Sequence, residues 1–129
     1  MTRIGVRTTD APPPAGRYSQ GIISGPVIAL AGQGGFDPET NELVGPDFAD
    51  EAHRTFQNLM AVLREAGAGP ESVIRMGVYL SHPDLFAEMN AVYEQYVVEP
   101  YPVRTTISVT LPGDMRIEVD ALATRIDDA

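Results

Sequence analysis

The chain contains no cysteine. That excludes disulfides, thiolate nucleophiles and cysteine-ligated metals, and it fits a reducing compartment. Basic residues are scarce: nine Lys+Arg stand against 18 Asp+Glu, for a net charge of -9. Nucleic-acid binders usually carry the reverse balance, because their affinity comes mainly from neutralising phosphates, so no nucleic-acid partner is expected. Long apolar runs are missing too. No stretch approaches the ~20 residues needed to span a bilayer, and the opening MTRIGVRTTDAPPPAG lacks the apolar core of a signal peptide. The expected setting is therefore the cytoplasm, with no membrane partner. Neither His53 nor His82 has a second histidine at ligand spacing. No metal is expected, and both read as surface or capping residues.

What is present is an ordinary globular composition, 43% hydrophobic and 21% charged over 129 residues. That length suits one domain, residues 1–129, with a proper core. Ile4 and Val6 form a weak strand that the prolines of APPPAG (11–16) must end. Ile22 and Ile23, then Val27, Ile28 and Leu30, flank Ser24-Gly25-Pro26 and predict a β-hairpin. Residues 32–46 read as a polar Gly/Pro/Asn loop. From Asp47 the period changes: Phe48, Ala52, Phe56, Leu59, Leu63 and Ala66 fall at helical spacing, with Asp47 as N-cap and Gly67 as the residue past the C-cap.

Alternation returns in 73–80, where Ile74, Met76, Val78 and Leu80 are expected on one face. A second helix is expected from about 81–84 and carries Leu85, Phe86, Met89, Tyr93, Tyr96 and Val97, before Pro100 and Pro102 stop it. Residues 104–110 and 115–126 read as strands around the turn LPGD. The order βββαβαββ predicts two helices on one face of a mixed sheet. In the last two strands the face with Ile107, Val109, Ile117, Val119, Ala121 and Ala123 is expected to meet the helices. The face with Arg104, Thr106, Ser108, Arg116, Glu118, Asp120 and Leu122 is expected to be bare or closed by other subunits.

Two residues in these strands carry potential chemistry. Arg104 offers a planar fork that fits a carboxylate bidentately; it also reads as a surface cation or a structural partner of Asp120 or Glu118, the commoner roles of such a residue. Glu118 lies inside a strand, where glutamate is disfavoured, and reads either as an acid/base or water-positioning carboxylate or as a solvent-face residue. Gly32, Gly34 and Gly35 match neither a dinucleotide nor a phosphate-loop spacing, which leaves turn glycines or a close backbone approach to a ligand. Asn90 can face a ligand or solvent. Tyr18, after the prolines, presents its hydroxyl to a site or simply packs.

Five strings in order then carry a resemblance: AGRYSQG (15–21), AGQGGFDPETNELVG (31–45), TFQNLMAVLREAGAGPESVIRMGVYL (55–80), FAEMNAVYEQY (86–96) and PVRTTISVTLPGDMRIEVDALA (102–123). Together they resemble the Rid superfamily, the YjgF-like reactive-intermediate deaminases, also known as L-PSP endoribonucleases. The resemblance implies a chorismate-mutase-like α+β fold in which a mixed six-stranded sheet carries two helices on one face. It also implies a homotrimer with ligand clefts between subunits. In such a cleft the position of Arg104 grips the carboxylate of a 2-imino or 2-enamino acid. The position of Glu118 holds a water near the imine carbon, helped by the backbone carbonyl of Thr106. Gly32 supplies a backbone amide, and Tyr18 and Asn90 line the cleft.

The implied reaction is hydrolysis of an imine or enamine to a 2-keto acid and ammonia without metal or organic cofactor. A ligand-binding or stress-protective protein, or a pathway-specific tailoring enzyme, would use the same clefts. Ribonuclease activity would clash with the charge. The chain departs from the best-known members at Arg17, Ala31, Gly34-Gly35 and Thr106, where proline, serine, a hydrophobic-proline pair and cysteine are usual.

Overall fold

The computed structural model describes residues 2–125. Its elements follow the expected order: β1 (Arg3–Val6), β2 (Gly21–Ser24), β3 (Val27–Gln33), α1 (Phe48–Glu65), β4 (Val73–Leu80), α2 (Phe86–Tyr93), β5 (Val103–Ser108) and β6 (Ile117–Thr124). The predicted end of the last strand, Ile126, lies outside the described residues.

Helix α1 forms because its apolar residues recur at three and four, and that stripe covers the sheet: Phe56, Leu59, Val62 and Leu63 are fully buried. Each such side chain is worth about 1.5–3 kcal/mol of transfer free energy. Asp47 occupies the N-cap with extended backbone, but its side chain makes no capping hydrogen bond. The C-terminus closes as expected. Gly67 has φ 85°, its N–H donates to the carbonyl of Arg64, and the N–H of Ala68 donates to that of Leu63. These two bonds make a Schellman motif, which a residue with a β-carbon would strain at position 67.

Helix α2 is shorter than its pattern suggested. A 3-10 turn, Pro83–Leu85, precedes it, and the His82 ring accepts from the Asp84 N–H at 3.1 Å, a cap as expected. The helix ends at Tyr93, so Tyr96 and Val97 lie past it, where the Tyr96 ring stacks on Phe56 at 5.3 Å.

The sheet order is β1-β2-β3-β6-β4-β5, mixed as predicted, with β4 and β5 parallel. The β2–β3 hairpin turns at Gly25-Pro26, where Gly25 takes φ 56°, the positive value that the first position of a II′ turn requires. Three sequence expectations need correction. First, the last two strands are not hairpin neighbours, because β4 inserts between them. Second, a bulge between Val73 and Arg75 gives Val73 the buried place and leaves Ile74 exposed, while Met76, Val78 and Leu80 are buried as expected.

Third, the faces of β5 are reversed. Arg104 pairs with Met76 and Thr106 with Val78, in rows that continue to Ala121 and Val119, so both lie on the helix side. Ile107 and Val109 do not meet the helices; they are 44% and 40% exposed. The reason is position: β5 is an edge strand under the short α2, so its apolar alternation follows the open face of the sheet rather than the helices. That open face, with Val103 69% and Leu122 37% exposed beside Glu118 and Asp120, has no helix over it.

Candidate functional site

The six residues singled out in the sequence fall into two groups, one on each face of the sheet. On the helix side, Arg104 rises from β5 against α2, which supplies Phe86, Asn90 and Tyr93 from one face at helical spacing. The guanidinium carbon lies 4.5 Å from the Tyr93 ring centroid and 5.6 Å from that of Phe86. Arg104 Nη1 donates to Asn90 Oδ1 at 2.8 Å. Cation–π contact on two rings and one hydrogen bond fix the fork, and most of its five donors remain for a ligand. Asn90 is thus half-buried and paired, not a solvent residue. Burial raises the Tyr93 pKa above its ordinary 10.0, opposed by the nearby Arg104 charge and hydrogen bond. Two rows along β5, Thr106 Oγ1 is buried with no hydrogen-bond partner. A buried hydroxyl without a protein partner is uncommon and suits a polar ligand atom.

On the open side, a bulge in β3 sets Ala31 and Gly32 between the pairs Leu30–Ala121 and Gln33–Val119. It re-aims Gly32 towards β6, as bulges near sites do. The Glu118 carboxylate lies over Gly32 so closely that a β-carbon there would stand 2.8 Å from Oε2. A cavity of about 420 Å³ opens beside it, lined by Tyr18, Gly32, Gly34, Phe36, Met115 and Glu118 among others. Tyr18 is half exposed, and its hydroxyl accepts from the Ala15 N–H at 3.0 Å, which ties the ring to the proline strap. That strap is held from beneath by buried Gln20, whose amide nitrogen donates to the Pro12 carbonyl at 2.9 Å and whose Oε1 accepts from the Thr8 N–H at 2.8 Å. Gly34 is bare because Met115 and Phe36 fill the space; a β-carbon there would stand 2.6 Å from Met115 Cε. Glu118 has its pKa raised above the ordinary 4.5, first by burial and then by the negative charge of Asp120.

Arg104 and Glu118 are separated by three residues along the strand direction and two strands across. At ~3.4 Å per residue and ~4.8 Å per strand their backbones stand roughly 14 Å apart, with the side chains on opposite faces. One copy of the chain therefore cannot close both residues around one small acid. Nor do they form a salt bridge.

One further residue of the open-side cavity's frame was missed in reading the sequence. Glu51 is fully buried on α1; its Oε1 accepts from Arg116 Nε at 2.7 Å and its Oε2 from the Arg116 backbone N–H at 2.8 Å. The pair fastens the turn that carries Met115 to the start of α1. Gly35 packs on this glutamate, with room for a β-carbon lacking by contact with the Glu51 backbone at 2.5 Å. The only signal for it was a glutamate among helix residues spaced to face the core. His53 is half-buried, with Nδ1 2.8 Å from the Tyr96 hydroxyl, and belongs to neither group of residues. Among the described residues no three His, Asp or Glu side chains converge as a metal site would need.

Comparison with known proteins gives a consistent result. The family model described as Endoribonuclease L-PSP matches residues 8–125. A RutC family protein of Pyrococcus abyssi is 42% identical over 124 residues, covering 95% of this chain and 98% of its own. A 2-iminobutanoate/2-iminopropanoate deaminase of the mite Dermatophagoides farinae is 33% identical over 118 residues, covering 91% and 92%. Among solved structures, RidA from the Antarctic bacterium Psychrobacter superposes with a TM-score of 0.90 at 32% identity, covering 95% of this chain and 99% of that one.

Proposed function

Because the chain belongs to the endoribonuclease L-PSP family, the group also called YjgF, RutC or Rid, we propose that it hydrolyses reactive 2-imino and 2-enamino acids to 2-keto acids and ammonia in clefts between the subunits of a homotrimer. The observation that carries this reading is the division of the six residues: Asn90, Arg104 and Thr106 lie on the helix face, and Tyr18, Gly32 and Glu118 on the open face. Each group is half of a site for a small carboxylate-bearing imine. A cleft between two copies brings one half from each. The exposed Val103, Ile107 and Leu122 on the open face are apolar surface of the kind subunits cover.

In such a cleft the clamped Arg104 takes the substrate carboxylate in its fork. Glu118 of the next copy accepts a proton as water oxygen bonds to the imine carbon and the C=N π pair moves to nitrogen. The same carboxyl returns the proton to nitrogen, and the carbinolamine collapses to the ketone and releases ammonia. An acid/base works best when its pKa approaches the working pH, and the upward displacement of Glu118 is in that direction. Positioning two reactants in this way is worth several kcal/mol. In this reading the Thr106 carbonyl and hydroxyl and the Gly32 amide hold the water and substrate, which the unpartnered buried Thr106 Oγ1 supports. Ribonuclease activity is disfavoured by a net charge of -9, since phosphate binding needs cations.

The test is complementation. Arg104→Ala and Glu118→Gln, each alone, abolish ammonia release from imines generated by an amino-acid oxidase, while both remain trimers. Unfolded together and refolded in equal amounts, they regain activity, because statistical mixing rebuilds about one intact cleft in four. Wild-type rates in Arg104→Ala alone would reject the deaminase assignment. Two inert variants whose mixture stays inert would reject the shared cleft.

A further inference from the structure

A second polar cluster adjoins Glu118 and is used by none of the roles above. Asp120 lies two residues on from Glu118 in β6, on the same face, about 7 Å along the strand. Its Oδ2 accepts from the Tyr79 hydroxyl at 3.0 Å and its Oδ1 from Arg75 Nη1 at 3.4 Å. Tyr79 is the register partner of Glu118, and Arg75 that of Leu122. The two side chains therefore lean towards each other and meet over Gly77, the register partner of Asp120. A β-carbon at Gly77 would collide with Asp120 Oδ1 and stand 2.9 Å from the Tyr79 hydroxyl oxygen. Glycine in a strand interior weakens the strand; here it clears the floor on which three polar side chains lock together.

We propose that Asp120, pinned by Tyr79 and Arg75, is a positioning residue that sets the pH at which Glu118 gains and loses its proton. The proposal rests on the reading of Glu118 as the acid/base of the cleft. A free carboxylate would swing away from a like charge or draw in a counter-ion. Two fixed donors hold this one beside Glu118, so its field acts at constant geometry. The other groups that face Glu118 do not replace it. The β3 bulge presents Gly32, and the strap presents the Tyr18 ring. From β4 come only Tyr79 and Arg75, while β5 offers Thr105 and Ile107 on that face. Arg116 is turned away to Glu51, and Asp114 stands exposed in the turn. In the trimer Arg104 of the next copy adds a positive charge through the substrate, whereas Asp120 acts also on the empty cleft. Burial and the Asp120 charge are the two causes that raise Glu118, and Arg75 is the cation paired with Asp120 at 3.4 Å.

Opposite substitutions must then move Glu118 in opposite directions. Asp120→Asn removes the negative charge and leaves Arg75 unpaired, so the Glu118 titration and the acid limb of kcat/KM move down by roughly 0.5–1 pH unit. Arg75→Met leaves Asp120 unneutralised, and both move up. The titration is read independently of turnover from the side-chain carboxyl resonance of 13C-glutamate-labelled trimer, assigned by its loss in Glu118→Gln. A Glu118 resonance that titrates unchanged in both variants, or moves the same way in both, overturns the proposal. A general loss of activity with an unmoved limb marks Asp120 as structural and overturns it equally. If Asp120→Asn does not fold, the direction of the Arg75→Met shift decides. Absence of imine hydrolysis by the wild type, with the resonance shifting as described, rejects the deaminase reading and not the coupling.

Discussion

The carboxylate of Glu118 lies over the α-carbon of Gly32, and a β-carbon at that position would come within 2.8 Å of Oε2 and 3.1 Å of Cδ. The contact joins a bulge in β3 to the start of β6 and holds the glutamate against backbone on one side.

Gly32→Ala should therefore push the carboxylate off its seat without disturbing the core, because Gly32 itself is exposed. We expect kcat for imine hydrolysis to fall at least about tenfold, as small misplacements of a reacting group do, with thermal stability changed by less than about 1 kcal/mol. Equal loss of kcat and of stability would mean that the glycine serves folding.

The Arg104 clamp makes a separate prediction about binding. Asn90→Ala removes the hydrogen bond at 2.8 Å, and Tyr93→Leu removes the nearer of the two rings. Each loss is worth about 1–2 kcal/mol, so KM and the Kd of a 2-keto acid inhibitor should rise roughly five- to thirtyfold while kcat changes less. Calorimetric titration of the inhibitor into each variant checks it.

The Glu51–Arg116 pair predicts an asymmetry in stability. Arg116→Ala leaves a fully buried carboxylate with its guanidinium partner gone and should cost about 3–5 kcal/mol. Glu51→Gln keeps an acceptor for the Arg116 backbone N–H, and Arg116, about one-third exposed, still reaches water. That variant should cost only about half as much. Denaturant unfolding at fixed subunit concentration ranks the two, and the reverse order would refute the argument.

Glu118 also predicts a pH-dependent stability. Its folded pKa lies above the ordinary 4.5, so the folded state holds this proton more tightly than the unfolded chain does. The contribution to stability is present below 4.5 and is lost as pH rises through the folded value. At neutral pH the charged glutamate is thus a liability. Glu118→Gln should raise Tm at pH 7 by at most a few degrees, and the gain should shrink as pH is lowered towards 4. A gain that is constant with pH would assign the effect to packing.

Much of this was legible in the chain itself. The 3.6-residue period of 48–66 and Gly67 fixed α1 and its closure, since a helix must bury one stripe and end where a left-handed residue allows. Alternation located β4 and β6, and the Gly25-Pro26 turn located the β2–β3 hairpin. The motif strings brought Tyr18, Gly32, Asn90, Arg104, Thr106 and Glu118 together as a set, because their order and spacing are local properties of sequence. Tertiary structure decided which face each residue occupies. Insertion of β4 between β6 and β5, and the edge position of β5, put Arg104 and Glu118 on opposite sides of the sheet. Alternation repeats every two residues but carries no label for the side that a helix will cover. Structure alone also revealed the buried Glu51, the clamp of Phe86, Asn90 and Tyr93, and the meeting of Arg75, Tyr79 and Asp120 over Gly77. Each depends on register between strands or helices that are far apart in the chain, and register is set by the packed core as a whole rather than by any one segment.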